Sequence, residues 1–252
     1  MKFVKMQGLG NDFVVIEGPV TLTESQVAAM CDRRSGIGAD GVLVVTPGGP
    51  AVRMDYWNAD GSAAEMCGNG LRCVARFAVD RGWAGPGPFS VETTVGILEV
   101  AMLDDETARV EIGSAEVGES LQFRDLEFVR VSVGNPHAVT FVDNTSAAPV
   151  EGIGPDLETS TDGGTNVEFA HIGGGAIEVR TWERGCGETL ACGTGAVAVA
   201  AAARDAGMAG DRVVIRLLGG DLIVEFDNDR AWITGPAHYS FEGVWSARPV
   251  RV

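Results

Sequence analysis

The sequence predicts an α/β (α+β) fold made of two similar halves, and three observations carry that prediction. The first is an internal repeat: Met66-Cys67-Gly68-Asn69-Gly70 recurs 125 positions later as Ala191-Cys192-Gly193-Thr194-Gly195. The second is that the spacing holds at unrelated motifs. Gly10-Asn11 matches Gly134-Asn135 at 124, Trp57-Asn58 matches Trp182-Glu183 at 125, and Gly96 matches Gly220 at 124. Chance recurrence of Gly and Ala explains any one of these pairs, but not a set that keeps its spacing to within one residue. The third is a pattern of short β-like runs split by Gly, Pro and Asp turns, with a helix at the corresponding place in each half.

In the first half, strands are predicted at 2–6, 12–16, 42–46, 52–57, 89–93 and 97–102. A helix over 23–32 opens on an N-cap at Thr23 or Ser25. In the second half, strands are predicted at 109–112, 127–133, 137–142, 167–172, 176–182, 213–217 and 221–226. Helices over 69–81 and 194–206 follow the two Cys-Gly-x-Gly turns, and Gly82 and Gly207 stop them. Thr145 to Thr165, rich in Pro, Gly, Ser and Thr, reads as a loop, and Gly85-Pro86-Gly87-Pro88 as a turn. The expected domains are 1–113 and 114–240, with a C-terminal strand at about 241–252 returning to the first. A chain of 252 residues has room for two domains of ordinary size.

Bulk properties exclude several classes. Hydrophobic residues at 45% and charged residues at 21% suit a globular protein, and no run reaches the 18 apolar residues of a membrane span. The N-terminal Met1-Lys2-Phe3-Val4-Lys5-Met6 turns polar at Gln7, so no secretory leader is expected and the expected location is the cytoplasm. Five cysteines in no dense framework suit a reducing compartment. A net charge of −16 without a basic cluster argues against nucleic acid as a partner.

Each copy of the repeat puts a thiol at the mouth of a helix, where unpaired N–H groups and the positive dipole end favour an anion. Such thiols are candidates for reactive thiolates. Two of them suit inversion of a carbon bearing a carboxylate, because one thiolate removes a proton from one face while a thiol delivers another to the opposite face. The helix N-termini after Cys67 and Cys192 are candidates to bind that carboxylate and stabilise the charge that builds on it. His137, beside the rigid Gly134-Asn135-Pro136 turn, and Glu183, before the second glycine-rich stretch, are the candidate proton partners. A lone histidine is as readily a structural one. Free cysteine is commonly a small buried hydrophobe, which is the expectation for Cys31, Cys73 and Cys186. Cys67-x5-Cys73 and Cys186-x5-Cys192 raise a four-thiolate zinc site as a competing class, but structural zinc pairs use shorter spacings, and only Cys67 and Cys192 correspond in the repeat.

At these residues the chain resembles the diaminopimelate epimerase family along nearly its whole length. The resemblance rests on Gly8-Leu9-Gly10-Asn11-Asp12-Phe13, Gly36-Ile37-Gly38-Ala39-Asp40-Gly41 and Asn58-Ala59-Asp60-Gly61-Ser62 through Glu65-Met66-Cys67-Gly68-Asn69-Gly70 and Arg72-Cys73. It continues with Gly134-Asn135-Pro136-His137, Thr165-Asn166-Val167-Glu168-Phe169, and Glu183-Arg184-Gly185 through Gly187-Glu188-Thr189-Leu190-Ala191-Cys192-Gly193-Thr194-Gly195.

The resemblance implies two similar α/β domains, each a curled, mostly antiparallel sheet around a central helix, with the site in the cleft separating them. It implies catalytic cysteines Cys67 and Cys192 assisted by His137 and Glu183. Asn11, Asn58, Asn135, Asn166 and Arg184 would hold the amino and distal carboxylate groups, and backbone at Gly68, Asn69, Gly193 and Thr194 the reacting carboxylate. The implied activity is conversion of LL- to meso-diaminopimelate without pyridoxal phosphate, any other cofactor or a metal, serving lysine and peptidoglycan synthesis, in a homodimer. The competing readings are a racemase of another amino acid, such as histidine or proline, on the same fold, and a metal- or redox-binding module without turnover.

Overall fold

The computed structural model describes residues 1–48, 51–64 and 66–246. Glu65 of the quoted motif and positions 247–252 of the expected C-terminal strand lie outside the described residues. The chain divides into two compact units, Met1–Val110 with the segment from Pro236 onward, and Glu111–Gly235.

The first unit is built from β1 (Lys2–Gly8), β2 (Asn11–Glu17), α1 (Glu24–Cys31), β3 (Gly41–Gly48), β4 (Ala51–Asn58), α2 (Gly68–Asp80), β5 (Phe89–Thr93), β6 (Gly96–Met102) and the first part of β7 (Thr107–Gly113), up to Val110. The second holds β8 (Glu116–Phe123), β9 (Leu126–Ser132), β10 (Pro136–Phe141), α3 (Val150–Ser160), β11 (Asn166–Gly173), β12 (Ala176–Glu183), β13 (Gly187–Thr189), α4 (Gly193–Asp205), β14 (Arg212–Leu217), β15 (Gly220–Asp227) and β16 (Arg230–Pro236). The chain then returns to the first unit as β17 (His238–Val244).

The two ladders repeat each other strand for strand. In the first unit β17, β1 and β2 pair antiparallel, β2 runs parallel to β3, β3 antiparallel to β4, β4 parallel to β5, and β5 to β7 antiparallel. In the second, β8 to β10 are antiparallel, β10 is parallel to β11, β11 antiparallel to β12, β12 parallel to β14, and β14 to β16 antiparallel. Parallel neighbours need a long crossover. Each of the four parallel steps has one that carries a helix: α1, α2, α3 and α4 in turn. The fold is thus α/β with mixed, mostly antiparallel strands in two pseudo-symmetric halves.

The central helices α2 and α4 pack against strands along most of the ladder of their own unit. Leu71, Cys73, Val74, Ala75, Phe77 and Ala78 of α2 are buried, and so is every residue of α4 from Gly195 to Ala203. The run of alanines lets strands approach the α4 backbone closely. Both helices end in the same Schellman closure. Trp83 N–H donates to Ala78 and Gly82 N–H to Val79, while Met208 N–H donates to Ala203 and Gly207 N–H to Arg204. That closure requires a left-handed residue, and Gly82 and Gly207 supply it at φ of 70° and 69°. In α1, Thr23 is the N-cap and forms a reciprocal capping box with Gln26.

The structure corrects one element outright. Thr145 to Thr165 is not a loop: it carries a 3₁₀ turn at Thr145–Ala147 and the three-turn helix α3, with Pro155 inside it. Burial overrides the poor propensity of its glycines and proline. Val150, Ile153 and Leu157 lie along one face and join Phe128, Ala138, Val167 and Phe169 in one apolar cluster. Strands β8, β13 and β16 are additions to the expected set. No helix among the described residues is long and apolar enough to cross a membrane.

Candidate active site

In the second unit, Cys192 is the N-cap of α4 in extended conformation, φ −117° and ψ 114°. Its Sγ accepts the N–H of Gly195 at 3.3 Å and lies 3.5 Å from the Thr194 hydroxyl. A hydrogen-bonded line runs back from Thr194 into the core. Asn135 Nδ2 donates to Thr194 Oγ1 at 3.4 Å, Asn135 Oδ1 lies 3.0 Å from His137 Nε2, and His137 Nδ1 lies 2.8 Å from Glu168 Oε1. Each ring nitrogen of His137 has an oxygen neighbour, and the tautomer sets which of them donates. The parallel register of β10 on β11, with His137 opposite Asn166, brings His137 and Glu168 to one place.

Glu183 hydrogen-bonds Thr189 Oγ1 and the Cys192 thiol. Burial raises its pKa, opposed by those two hydrogen bonds and by His137 and reinforced by Glu168. Burial, then the Glu183 and Glu168 carboxylates, push the Cys192 thiol well above its ordinary value, while Thr194 and the Gly195 N–H act in the other direction. Cys192 thus has the Glu183 carboxylate at its thiol and a helix amide to meet its thiolate.

Asn166 is buried and already committed: its Nδ2 donates to Pro136 O at 2.9 Å and its Oδ1 accepts the backbone N–H of Arg184 at 3.0 Å. Each end of the amide keeps one further hydrogen-bond position. Arg184 is exposed, its Nη1 donates to Gly163 O, and no carboxylate pairs with it among the described residues.

In the first unit, Cys67 is the N-cap of α2, again extended, with φ −139° and ψ 117°. Its side chain makes no cap hydrogen bond, and Sγ instead donates to Asn11 Oδ1 at 3.5 Å. Asn11 Oδ1 also accepts from Asn69 Nδ2 at 3.1 Å, and Asn11 Nδ2 donates to Asp40 Oδ2 at 2.8 Å. Asp40 and Asp12 in turn share Arg33, and Asp12 is 2.7 Å from Lys5 Nζ. Burial works against the Asp12 carboxylate, but hydrogen bonds from Arg33 and Lys5 outweigh it and bring its pKa down to about 2. Asn58 stands apart from this cluster, exposed at the end of β4 with its Nδ2 on Ser62 Oγ at 3.0 Å. Gly68 and Asn69 open α2 as Gly193 and Thr194 open α4.

Glu168 and Arg72 stand in the quoted motifs but were given no role from the sequence. Both are wholly buried charged groups in otherwise apolar segments. A charge inside a buried strand or helix is the signal that marks them. Cys73 is fully buried and pushed up to about 12, and all five cysteines are unbridged. Among the described residues no three His, Cys, Asp or Glu side chains converge on a metal position.

The family profile described as diaminopimelate epimerase matches residues 3–118 and 129–240. Diaminopimelate epimerase of Brachyspira hyodysenteriae is 40% identical to this chain over 273 residues, covering 96% of it and 98% of the relative. The chain belongs to the diaminopimelate epimerase family. A second family member, from Methanocella arvoryzae, is 42% identical over 269 residues and covers 96% of both chains. Among solved structures, a probable proline racemase from Agrobacterium radiobacter K84 superposes with a TM-score of 0.76 at 16% identity, covering 99% of this chain and 94% of the other. A hydroxyproline epimerase from Agrobacterium vitis gives 0.76 at 16% identity, over 96% and 91%. At such identities these two show that the diaminopimelate epimerase family shares its fold with other isomerases, and nothing of substrate.

Proposed function

We propose that this chain epimerises LL-diaminopimelate to meso-diaminopimelate without pyridoxal phosphate, and that Cys67 and Cys192 are the two proton carriers. The observation that carries this reading is the duplicated N-cap: each unit presents one thiol at the first turn of its central helix. Family membership and relatives called diaminopimelate epimerase along the whole chain support the substrate.

One cysteine, as thiolate, takes the α-proton, and the other, as thiol, gives its proton to the opposite face. The electron pair left on the α-carbon passes into the adjacent carboxylate, so the amino acid leaves inverted and the two sulfurs have exchanged protonation states. Backbone amides of Gly68, Asn69, Gly193 and Thr194 would hold that carboxylate, where helix N-termini favour growing negative charge. His137 and Glu183 assist at Cys192, with which Glu183 is hydrogen-bonded. Asn11, Asn58, Asn135 and Asn166 would bind the amino groups and Arg184 the distal carboxylate, which a guanidinium fork fits. The amide positions left over on Asn11 and Asn166 are compatible with this. The reaction would serve lysine and peptidoglycan synthesis in the cytoplasm. We further infer a homodimer, which a light-scattering mass of one chain would overturn.

The test is proton NMR of LL-diaminopimelate in D2O with reduced enzyme. Wild type should wash out the α-proton signal and form the meso isomer, while Cys67→Ala and Cys192→Ala each lose epimerisation by at least about a hundredfold, the low end of what a positioned acid or base contributes. No exchange by reduced wild type, or full activity in either variant, overturns the reading.

A further inference from the structure

Arg72 is the largest fully buried side chain in the described structure, and no carboxylate pairs with it. Its hydrogen bonds go from Nη1 to Asn69 Oδ1 at 3.0 Å and from Nε to Pro236 O at 3.1 Å, and Nη2 has no hydrogen-bond partner. A Cβ on Gly8 would stand 2.7 Å from Nη2, so the β1 backbone closes on the guanidinium. A buried cation without a counter-ion is costly.

The surrounding charges show which anion that is. On the β1–β2 side of Asn11, Lys5 and Arg33 are matched by Asp12 and Asp40, two cations against two carboxylates. That cluster adds no net charge, and among the described residues no carboxylate pairs with Arg72 on the helix side. The anionic forms that act on Arg72 are the thiolates of Cys73 and Cys67, and burial keeps Cys73 a thiol, pushed up to about 12. Cys67 remains. Its thiol form already has an acceptor in Asn11 Oδ1.

We propose that Arg72 is a positioning residue for proton transfer, the built-in counter-charge of the Cys67 thiolate, acting also through Asn69 to hold Asn11 against the sulfur. The proposal rests on the two-thiol reading above and deepens it. The line Arg72–Asn69–Asn11 fixes the Asn11 amide, because Asp40 accepts from one end and Asn69 donates to the other. Cys67 therefore finds an acceptor as a thiol and a cation as a thiolate. A group that must both take and give a proton needs both states within reach.

The test is the pH dependence of iodoacetamide alkylation of the reduced free enzyme, followed peptide by peptide by mass spectrometry, in a Cys186→Ser background that removes the exposed thiol. Arg72→Met should raise the Cys67 midpoint by about one pH unit or more, the usual effect of removing a close opposite charge. Arg72→Lys should stay near wild type, and in wild type Cys67 should titrate below Cys192. An unmoved Cys67 midpoint in folded Arg72→Met overturns the proposal. If that variant does not fold, the wild-type order decides, and Cys192 titrating below Cys67 overturns it as well. Alkylation needs no substrate, so a failure of the diaminopimelate assignment leaves these midpoints readable.

Discussion

Glu168 Oε1 lies 2.8 Å from His137 Nδ1, with both side chains shut off from solvent, while Glu168 Oε2 makes no hydrogen bond. A half-satisfied carboxylate in the core is kept at a cost. Here it sets the ring that leads through Asn135 and Thr194 to Cys192. It also disfavours the Cys192 thiolate, after burial and Glu183.

Glu168→Gln should therefore do two things. The turnover number should fall by about a hundredfold, the low end of what a positioned proton carrier contributes, with KM little changed. The alkylation midpoint of Cys192 should move down, because an anion beside the thiol has gone. A loss expressed through KM alone, or a Cys192 midpoint that moves up, would remove Glu168 from this role.

The repeat is nearly symmetric at Gly70 and Gly195, yet the two glycines are not equally replaceable. A Cβ at Gly195 would stand 2.7 Å from Glu168 Oε1 and 3.2 Å from Cys192 Sγ, in a first turn where Gly193, Gly195 and Ala196 are buried. At Gly70 it would meet Leu43 Cδ2 at 3.3 Å and Cys67 Cβ at 3.6 Å, contacts that a leucine rotamer relieves. Gly195→Ala should destabilise the protein by about 1–3 kcal/mol, as overpacking does. Gly70→Ala should cost less, since alanine is also the better helix former. Urea unfolding of both variants checks the order, and equal midpoints would show that Glu168 moves aside freely.

The fold was legible wherever the chain repeats itself. The helices following Cys67 and Cys192 begin within one residue of their expected starts, because an N-cap turn and a C-terminal glycine are local signals. Helix α3 was hidden by Gly152, Gly154 and Pro155, which lower its propensity. Yet Gly154 is there for packing, since a Cβ would stand 2.5 Å from Trp182 Cγ. Strand β8 escaped because a register shift between Val117 and Ser120 breaks its period of two. The chemistry was legible as residue types and not as partners. Nothing local says that Glu168 meets His137 or that Arg72 has no carboxylate partner among the described residues, because those facts depend on strand register and on which backbone closes over the helix.

The Lys5–Asp12–Arg33–Asp40 cluster that holds Asn11 gives the first unit a specific acid sensitivity. Asp12 has a pKa of about 2 in the folded chain, because Arg33 and Lys5 outweigh its burial, against about 4 for an unfolded aspartate. A carboxylate with a depressed folded pKa stabilises the native state above its unfolded pKa, and that contribution fades as pH falls towards the folded value. The wild-type advantage over Asp12→Asn should therefore be constant from neutral pH down to about pH 4 and close towards pH 2. Solvent reaches Arg33, so added salt should narrow the gap at neutral pH. Urea midpoints of the two proteins across that range decide it. A gap that persists undiminished at pH 2 would mean that Asp12 acts through shape, with its charge contributing nothing. Closure in the stated window would show that the cluster beside Asn11 stabilises the fold through one ionised carboxylate, Asp12.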